Sequence, residues 1–573
     1  MHSNYFTENP DLLFHLQHPV FEEIVTLRED NFRQSELFPQ APADYAAALA
    51  EYKEKLTLVG RLCAEQIAPR ATAVDREGAH FAAGKVSYAA GTKENLRLLT
   101  EAGLMGVTLP RQYGGLNFPR TVYTMMTEMV SGADASLQNL FGLQDISETI
   151  YLFGDEEMRQ KYLPLFTSGE VDGAMALTEP EAGSDLQSVQ TTAEFDQASG
   201  MWLLNGHKHF ITNGCARILL VLARSEPGSE DGRGLSLFLL ENGPGVEIKR
   251  IEDKLGLHGS PTCELLLHNA PAQLIGQRRR GLTRYVMSLM NGARLAIAAQ
   301  SQGIAEAAYR LALRYCSERK QFGKPLRQLA PVNEMLLRMK VNIMAGRSLL
   351  YETSRYVDLR DSYERMNNSS AEVSPENRQK EKNFSRIAAL LTPLSKAFST
   401  EMCNQACYDS IQCHGGKGYM QDLEPERLYR DARITNIYEG TTQMQIVAAI
   451  GGIMQRSLEP LLDEITSLTY SGKLAEIASE IAKARKVFNA AISHVEQKAD
   501  GYFFDLMARR LVAMQTVVLI ACLLLRDAGN NQERQQLCRC FIDMYLPEIN
   551  CHYQIITAEE KVTAEQKEKI LEM

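Results

Sequence analysis

The chain lacks three things that would fix its class at once: a long apolar run, an excess of basic charge and a disulfide framework. Its longest unbroken apolar stretch, Val517 to Leu525, falls well short of the ~20 residues that cross a bilayer. It reads as part of a buried helix, and no integral membrane segment is expected. The formal net charge is −10. A nucleic-acid binder needs a basic face, so no nucleic-acid partner is expected. A phosphate-bearing small ligand, by contrast, needs only a few local basic side chains. The 11 cysteines are scattered without the spacing of a disulfide scaffold, which fits a reducing compartment. The residues from Met1 to Pro10 lack the basic and apolar regions of a secretory leader. These absences point to a cytoplasmic, most simply bacterial, protein. No internal repeat is found.

What is present is length and pattern. At 573 residues, with 45% hydrophobic and 23% charged side chains, the chain has the composition of a soluble globular protein too long for one core. Four segments are expected: a largely helical region 1–168, a β region 169–278, a second helical region 279–453 and a helical C-terminal region 454–573. In the first, Tyr52, Leu56, Val59, Leu62 and Cys63 recur at three- and four-residue steps, the mark of one buried helix face. From Gly173 to Gly276 the pattern changes to short runs broken by Gly, Pro, Asn and Asp, in which Ile218–Ala223 and Leu235–Leu240 read as strands. Val189–Phe195 alternates and ends in a turn, Met201–Leu204 restarts a strand, and Asn205-Gly206 reads as a hairpin turn. Helices return at Ala293–Tyr315, Val332–Leu359 and Phe384–Gln412. Between the last two, Asp358 to Asn383 is charged and polar and reads as a solvated, mobile insert.

The stretch from Arg430 to Gln443 carries the sharpest chemistry. Glu439 is a lone carboxylate between Tyr438 and Gly440, just after a helix end. Glycine lets the backbone turn, and Thr441, Thr442 and Gln443 are neutral hydrogen-bonding groups able to cap a new helix. From the residues alone this is either a base held on a defined turn or a surface Glu at a helix junction. A second pair of stretches, Ala176 to Asp185 and Asn205 to Gly214, gathers small residues and hydroxyls where strands end. That suits backbone amides and hydroxyls approaching a flat, phosphate-bearing ligand. Cys403, Cys407, Cys413 and His414 lie close in sequence, but the first two share a helix face and read as core side chains; Cys538 and Cys540 fit no zinc or redox spacing. No metal is expected. The run Arg278–Arg280 reads as a solvated loop or a patch for an acidic partner.

Further motifs follow in order: Leu109–Gly115, Phe153–Glu157 running on to Glu170, Glu318–Gly323 and Gln412–Tyr419. With the stretches above, in this order and at this spacing from about Asp44 to Ile450, the chain resembles the acyl-CoA dehydrogenase flavoprotein family. The resemblance implies a mainly α fold: a helical domain, a β-barrel middle domain and a helical bundle, here with an extra C-terminal helical domain. It implies fatty-acid metabolism: oxidation of an acyl-CoA thioester to its trans-2-enoyl-CoA, with FAD taking the hydride and an electron-transferring flavoprotein taking the electrons. Glu439 matches the family's catalytic base. Some relatives carry the base instead at the position of Ala293, which leaves Glu439 without a rival. The α-proton of a thioester is weakly acidic, so the base must be a carboxylate raised by burial. Two hydrogen bonds to the thioester oxygen, in relatives from the backbone N–H of that Glu and a ribityl hydroxyl of FAD, stabilise the enolate.

Other roles are carried over residue by residue. Leu177 and Thr178 match positions at the flavin ring edge, Ser184 one near the pyrophosphate or CoA, and Thr212 one near N5. Phe210 matches the ring covering the flavin, where Trp is commoner; a core Phe is the alternative. Arg319 and Phe322 match a pair reaching FAD across a subunit interface, Gln412, Gly415 and Gly416 another FAD contact, and Thr441 and Gln443 contacts to its adenosine half. Arg294 matches a support of the active site and the CoA-binding helix, although Asn291 stands where the family favours an acid. Tyr438 and Gly440, with Ser184 and Arg294, are expected at the substrate. Met175 replaces a commoner Tyr or Phe, either altering the floor of the acyl pocket or packing the core. In longer relatives the C-terminal domain covers a tetramer surface, so a homodimer is expected, with a homotetramer as the alternative. An acyl-CoA oxidase and a DNA-binding, repair-associated relative share the fold; oxidases are generally longer, and residues 533–540 are too weakly basic for the second. The acyl chain's length and branching stay open.

Overall fold

The computed structural model describes residues 3–369, 373–529, 531–558 and 564–573. They form two compact units: Met1–Ala388 with Ser395–Thr442, and Ala389–Leu394 with Gln443–Met573. The first unit is helical at both ends of its sequence and β in the middle.

Its N-terminal helices form where the periodicity placed them. In Tyr45–Leu62, Tyr52, Leu56 and Val59 are fully buried, as is Cys63 just beyond, while Leu62 is half-buried at the edge of the same core. Asp44 caps this helix through the backbone N–H of Ala47 (2.8 Å), and Asp155 does the same for Glu156–Thr167 through Met158 (2.9 Å).

The middle region is a seven-stranded sheet. Met201–Thr212 pairs antiparallel with Thr192–Asp196 on one side and Thr262–Leu274 on the other. Leu235–Glu241 pairs with both Thr262–Leu274 and Ile218–Arg224, and a parallel bridge between Thr192 and Arg224 closes the ring into a barrel. Gly173–Ala176 adds parallel to Ile218–Arg224, and Val246–Ile251 antiparallel to Thr262–Leu274. Asn205-Gly206 is not a hairpin turn. It lies inside the strand Met201–Thr212 at a register shift, because the chain has already reversed at residues 197–200. Glycine is needed there for another reason: a Cβ on Gly206 would come within 2.2 Å of Thr191 Oγ1.

Three long helices, Met287–Glu318, Ala330–Ser369 and Pro375–His414, follow the barrel. The stretch 358–383 is therefore largely helix rather than a solvated loop; residues 370–372 lie outside the described residues. At its start the polar groups bond inward, whereas Glu376, Arg378, Gln379, Lys382 and Asn383 are exposed on their helix. Asp358 is buried and accepts from the backbone N–H groups of Arg120 (2.6 Å) and Thr121 (2.9 Å), while Leu359 and Tyr363 join the core.

The second unit is a helical bundle in which Lys473–Lys498, Gly501–Ala528 and Gln532–Thr557 pack together. The helix Gly501–Ala528 is long and apolar enough to cross a membrane, but 89% of its most apolar window is buried within the fold.

The first unit also buries charge. Arg347 has no exposed surface and donates to Glu128 Oε1 from Nε (2.8 Å) and Nη2 (2.7 Å), and to Glu306 (2.9 Å); Asp11 lies 3.5 Å away and Tyr351 donates to Glu128 (2.5 Å). This knot ties helix Arg120–Ala133 to Met287–Glu318 and Ala330–Ser369. Removing the cation leaves several carboxylates buried without their partner. Arg347→Ala should lower the stability of this unit by about 3–5 kcal/mol, read as a lower calorimetric transition temperature; an unchanged transition would show the knot to be dispensable.

Candidate active site

The helix Pro425–Ala432 ends before a tight turn that carries Tyr438, Glu439 and Gly440. Glu439 (φ +53°) and Gly440 (φ +87°) are both left-handed, which glycine accepts freely and glutamate does not. Such a residue persists only when its surroundings over-determine it. Here Thr442 N–H closes the turn onto Asn436 O (3.1 Å), Thr442 Oγ1 donates to Glu401 (2.7 Å), and Lys396 Nζ donates to Tyr438 O (2.8 Å) and Gly440 O (2.5 Å).

Glu439 walls a cavity of about 520 Å³, solvent at its mouth included. Thr212 from the barrel, Met175, Tyr438 and Ala293 line the same space. Gln138, Asn139 and Gln300 line it too: Gln300 donates to Asn139 Oδ1 (3.0 Å), and the Tyr438 hydroxyl donates to Gln300 Oε1. Burial raises the Glu439 carboxyl above the ordinary carboxylate range against the opposing charges of Lys396 and Arg294, with Asp145 adding to the rise. Lys396 is fully buried and pulled down to about 7, chiefly by burial. Arg294 is buried, donates to Asn291 Oδ1 (3.1 Å), and leaves its Nε without a partner. Asn291 thus serves Arg294 where an acid was expected. Met175 is on the cavity wall, and Ala293 places only a methyl group at the second base position.

The other expected residues fall into two groups. Leu177 is buried and Thr178 half-buried at the end of strand Gly173–Ala176, while Ser184 is exposed on the loop that follows. That loop is pinned by Glu179, which accepts from the fully buried Lys208 (2.8 Å), from Gln190 N–H (2.7 Å) and from Thr191 N–H (3.0 Å). Lys208 also donates to Leu177 O (3.0 Å). Phe210 is not a core ring: it is 59% exposed, has φ +58°, and lies in a bulge of its strand stacked on His209 at 3.9 Å. Arg319 and Phe322 sit on a small hairpin, Lys320–Gln321 with Lys324–Pro325, at the end of helix Met287–Glu318; Phe322 at its tip is 89% exposed. Gln412, Gly415 and Gly416 are exposed at the end of helix Pro375–His414, with no atom within 4 Å of a Cβ built on either glycine. Thr441 follows the Glu439 turn, and Gln443 belongs to the second unit. Only Thr212, Tyr438 and Glu439 of the expected set meet at the cavity.

Cys403, Cys407 and Cys413 are buried in one apolar cluster. Among the described residues, His209, Glu252 and Glu264 bring ligand atoms within 4.8 Å of one another, but Glu264 already holds Arg250 (2.6 Å), His207 (2.8 Å) and Lys249 (3.2 Å). Lys396, Lys208 and Glu179 escaped the sequence reading. Nothing in a lone lysine within a helix or strand pattern marks it as buried, and Glu179 is paired by Lys208, which is distant in sequence.

Comparison with known proteins gives a consistent answer. Four family models match in order: acyl-CoA dehydrogenase N-terminal domain (residues 50–170), middle domain (174–270), C-terminal domain (280–451) and a further acyl-CoA dehydrogenase C-terminal model (457–562). The chain is 34% identical over 491 residues to 3-methylmercaptopropionyl-CoA dehydrogenase of Ruegeria pomeroyi, covering 79% of each. It is 33% identical over 418 residues to acryloyl-CoA reductase (NADH) of Anaerotignum propionicum, covering 71% of this chain and 96% of that one. An acyl-CoA dehydrogenase of Bacillus anthracis solved in complex with FAD shares the fold with a TM-score of 0.76 at 24% identity, over 91% of this chain and 90% of that one. Together with a carboxylate-walled cavity beside the barrel, these matches define the class, oxidoreductases acting on CH–CH bonds. The chain belongs to the acyl-CoA dehydrogenase family.

The helix leading to the Glu439 turn is clamped by charge. Arg430 donates to Asp75 (2.6 and 3.1 Å) and Glu426 (2.7 Å); Asp75 lies 2.9 Å from His258 Nδ1, and Asp431 accepts from Leu257 N–H (2.7 Å). The hydrogen bond to Asp75 raises His258 from 6.5 to about 9. A raised histidine contributes stability that is complete below its unfolded value and lost as pH rises through the folded one. His258→Gln should therefore lower the transition temperature most near pH 6, and the difference from wild type should vanish above about pH 9; a constant difference across this range would refute the linkage.

Proposed function

We propose that the protein carries out FAD-dependent α,β-dehydrogenation of an acyl-CoA thioester to the trans-2-enoyl-CoA, passing electrons to an electron-transferring flavoprotein. The observation that supports it is the cavity wall shared by Glu439 and Thr212, with the carboxyl raised by burial. A raised carboxylate on a fixed turn is the base that a weak carbon acid requires. Glu439 takes the α-proton. Its own backbone N–H is the donor for the thioester oxygen; Tyr438, Gln300 and Asn139 make a neutral polar lining, and the second carboxylate of the lining, Asp145, already accepts from Arg120 (2.6 Å).

The residues present suit FAD. Thr212 reaches the cavity, the exposed Phe210 ring on its bulge can cover a flat ligand and exclude water, and the pinned Leu177–Thr178 backbone offers a ring edge. Ser184 and the open glycines Gly415 and Gly416, beside Gln412, suit close approach to phosphates. Bound FAD supplies the acceptor for the β-hydride. Thr441 and Gln443 are assigned to its adenosine half. Arg294, supported by Asn291, and Gly440 serve the CoA side.

Arg319 and Phe322 are too exposed on their hairpin to serve this chain's own cavity, and we assign them to the cofactor of a second copy, in a cytoplasmic homodimer. The extra C-terminal segment, 454–573, is assigned to covering the tetramer face. The acyl group stays unassigned beyond what the mixed apolar and amide lining admits, and a panel of acyl-CoA thioesters scored by flavin bleaching sorts it.

Glu439→Gln should keep the yellow cofactor and lower the anaerobic bleaching rate by acyl-CoA by about 10²–10⁴-fold, the range of a lost general base. Bleaching at a near-normal rate would remove Glu439 as the base.

A further inference from the structure

Lys396 lies on the helix Pro375–His414 with no exposed surface, and its two hydrogen bonds run to the carbonyls on either side of Glu439. The Tyr438 carbonyl belongs to the same peptide unit as the Glu439 N–H, and in a trans peptide the two point in opposite directions. A donor on the carbonyl oxygen draws electron density through the amide, and in a low-dielectric interior such chained hydrogen bonds strengthen one another. The second bond, to Gly440 O, anchors the far side of the left-handed pair Glu439–Gly440.

We propose that Lys396 is a positioning residue for proton abstraction: it fixes the Glu439 turn from both sides and polarises the Tyr438–Glu439 peptide so that its N–H binds the thioester oxygen more strongly. This rests on the reading of Glu439 as the base. Packing alone does not explain a buried ammonium, since an apolar side chain of similar length fills the same volume without the desolvation cost.

The charged groups around Lys396 give the idea a pH signature. Glu439 faces it from the turn, Arg294 from helix Met287–Glu318 and Glu401 from one turn along its own helix; Asp145, from helix Asp145–Phe153, acts in turn on Glu439. Burial brings Lys396 to about 7, and its charge in turn lowers Glu439. Toward acid pH the ammonium is intact but Glu439 takes up protons. Above about 7 the polarising charge of Lys396 fades. The rate should rise and then fall with pH.

The test is the anaerobic bleaching rate at sub-saturating acyl-CoA from pH 5.5 to 9, for wild type, Lys396→Met and Lys396→Arg, with flavin content and circular dichroism as folding controls. The wild type should show a basic limb near pH 7. Lys396→Met should be at least about tenfold slower, a fraction of the 10²–10³ that a whole oxyanion donor supplies, with its acid limb moved to higher pH. Lys396→Arg, permanently charged, should recover part of the rate and lose the basic limb. Lys396→Met with wild-type rate and an unshifted acid limb would overturn the proposal. If that variant loses its flavin, a wild-type profile flat from pH 7 to 9, or an unmoved basic limb in Lys396→Arg, overturns it instead. A wild type that no acyl-CoA bleaches sinks both this inference and the dehydrogenase reading, whereas bleaching by the wild type with normal Lys396→Met sinks this one alone.

Discussion

The site depends on one half-buried carboxylate balanced between desolvation and the charges of Lys396 and Arg294. Burial pushes the Glu439 proton on; Lys396 and Arg294 pull it off. Lys396 donates to the backbone carbonyls of Tyr438 and Gly440, and Arg294 to Asn291, so both cations are anchored to neutral groups as well. The net effect leaves the carboxyl raised.

Holding that balance requires rigidity, which comes from paired charges placed around the site. The Arg347 knot fixes the helix that presents Ala293 and Arg294, the Asp75–Arg430–His258 cluster fixes the helix that delivers the turn, and the Glu179–Lys208 pair fixes the loop at the barrel's end. Each is a place where an apolar core would be as stable or more so. What ion pairs supply is direction: a bidentate arginine tolerates one geometry, whereas a leucine tolerates several. A misplaced turn moves Glu439 relative to the barrel wall that carries Thr212, and proximity effects are steep on that scale.

How much of this was legible in the sequence divides by the range of the interaction. Local periodicity found Tyr52, Leu56 and Val59, and the apolar runs of the barrel, because a helix face and a strand are properties of neighbours. It failed at Asn205-Gly206, where the dipeptide that favours a turn is used instead to let Thr191 approach a strand. It failed again at Asp358, whose charge reads as solvated until Thr121, far away in sequence, is seen to cover it. The turn that carries Glu439 was legible because its neighbours in sequence are its neighbours in the turn. Lys396 was not, since its partners lie more than forty residues on and only the fold joins them.

The same division explains why the expected cofactor residues do not gather at one place. Thr212 and Glu439 share the cavity, but the Phe322 ring stands almost wholly exposed on a hairpin that makes no core. An apolar ring at a hairpin tip, behind a glycine at φ +78° that sets the turn, is costly to leave in water and cheap to supply to a partner. Phe210, held outward by a bulge rather than folded into the barrel, is the complementary case: a ring kept out of the chain's own core at the expense of a left-handed backbone. Neither conformation helps an isolated chain fold. On the assignment proposed above, a bound ligand and a second copy would cover both rings and offset that cost.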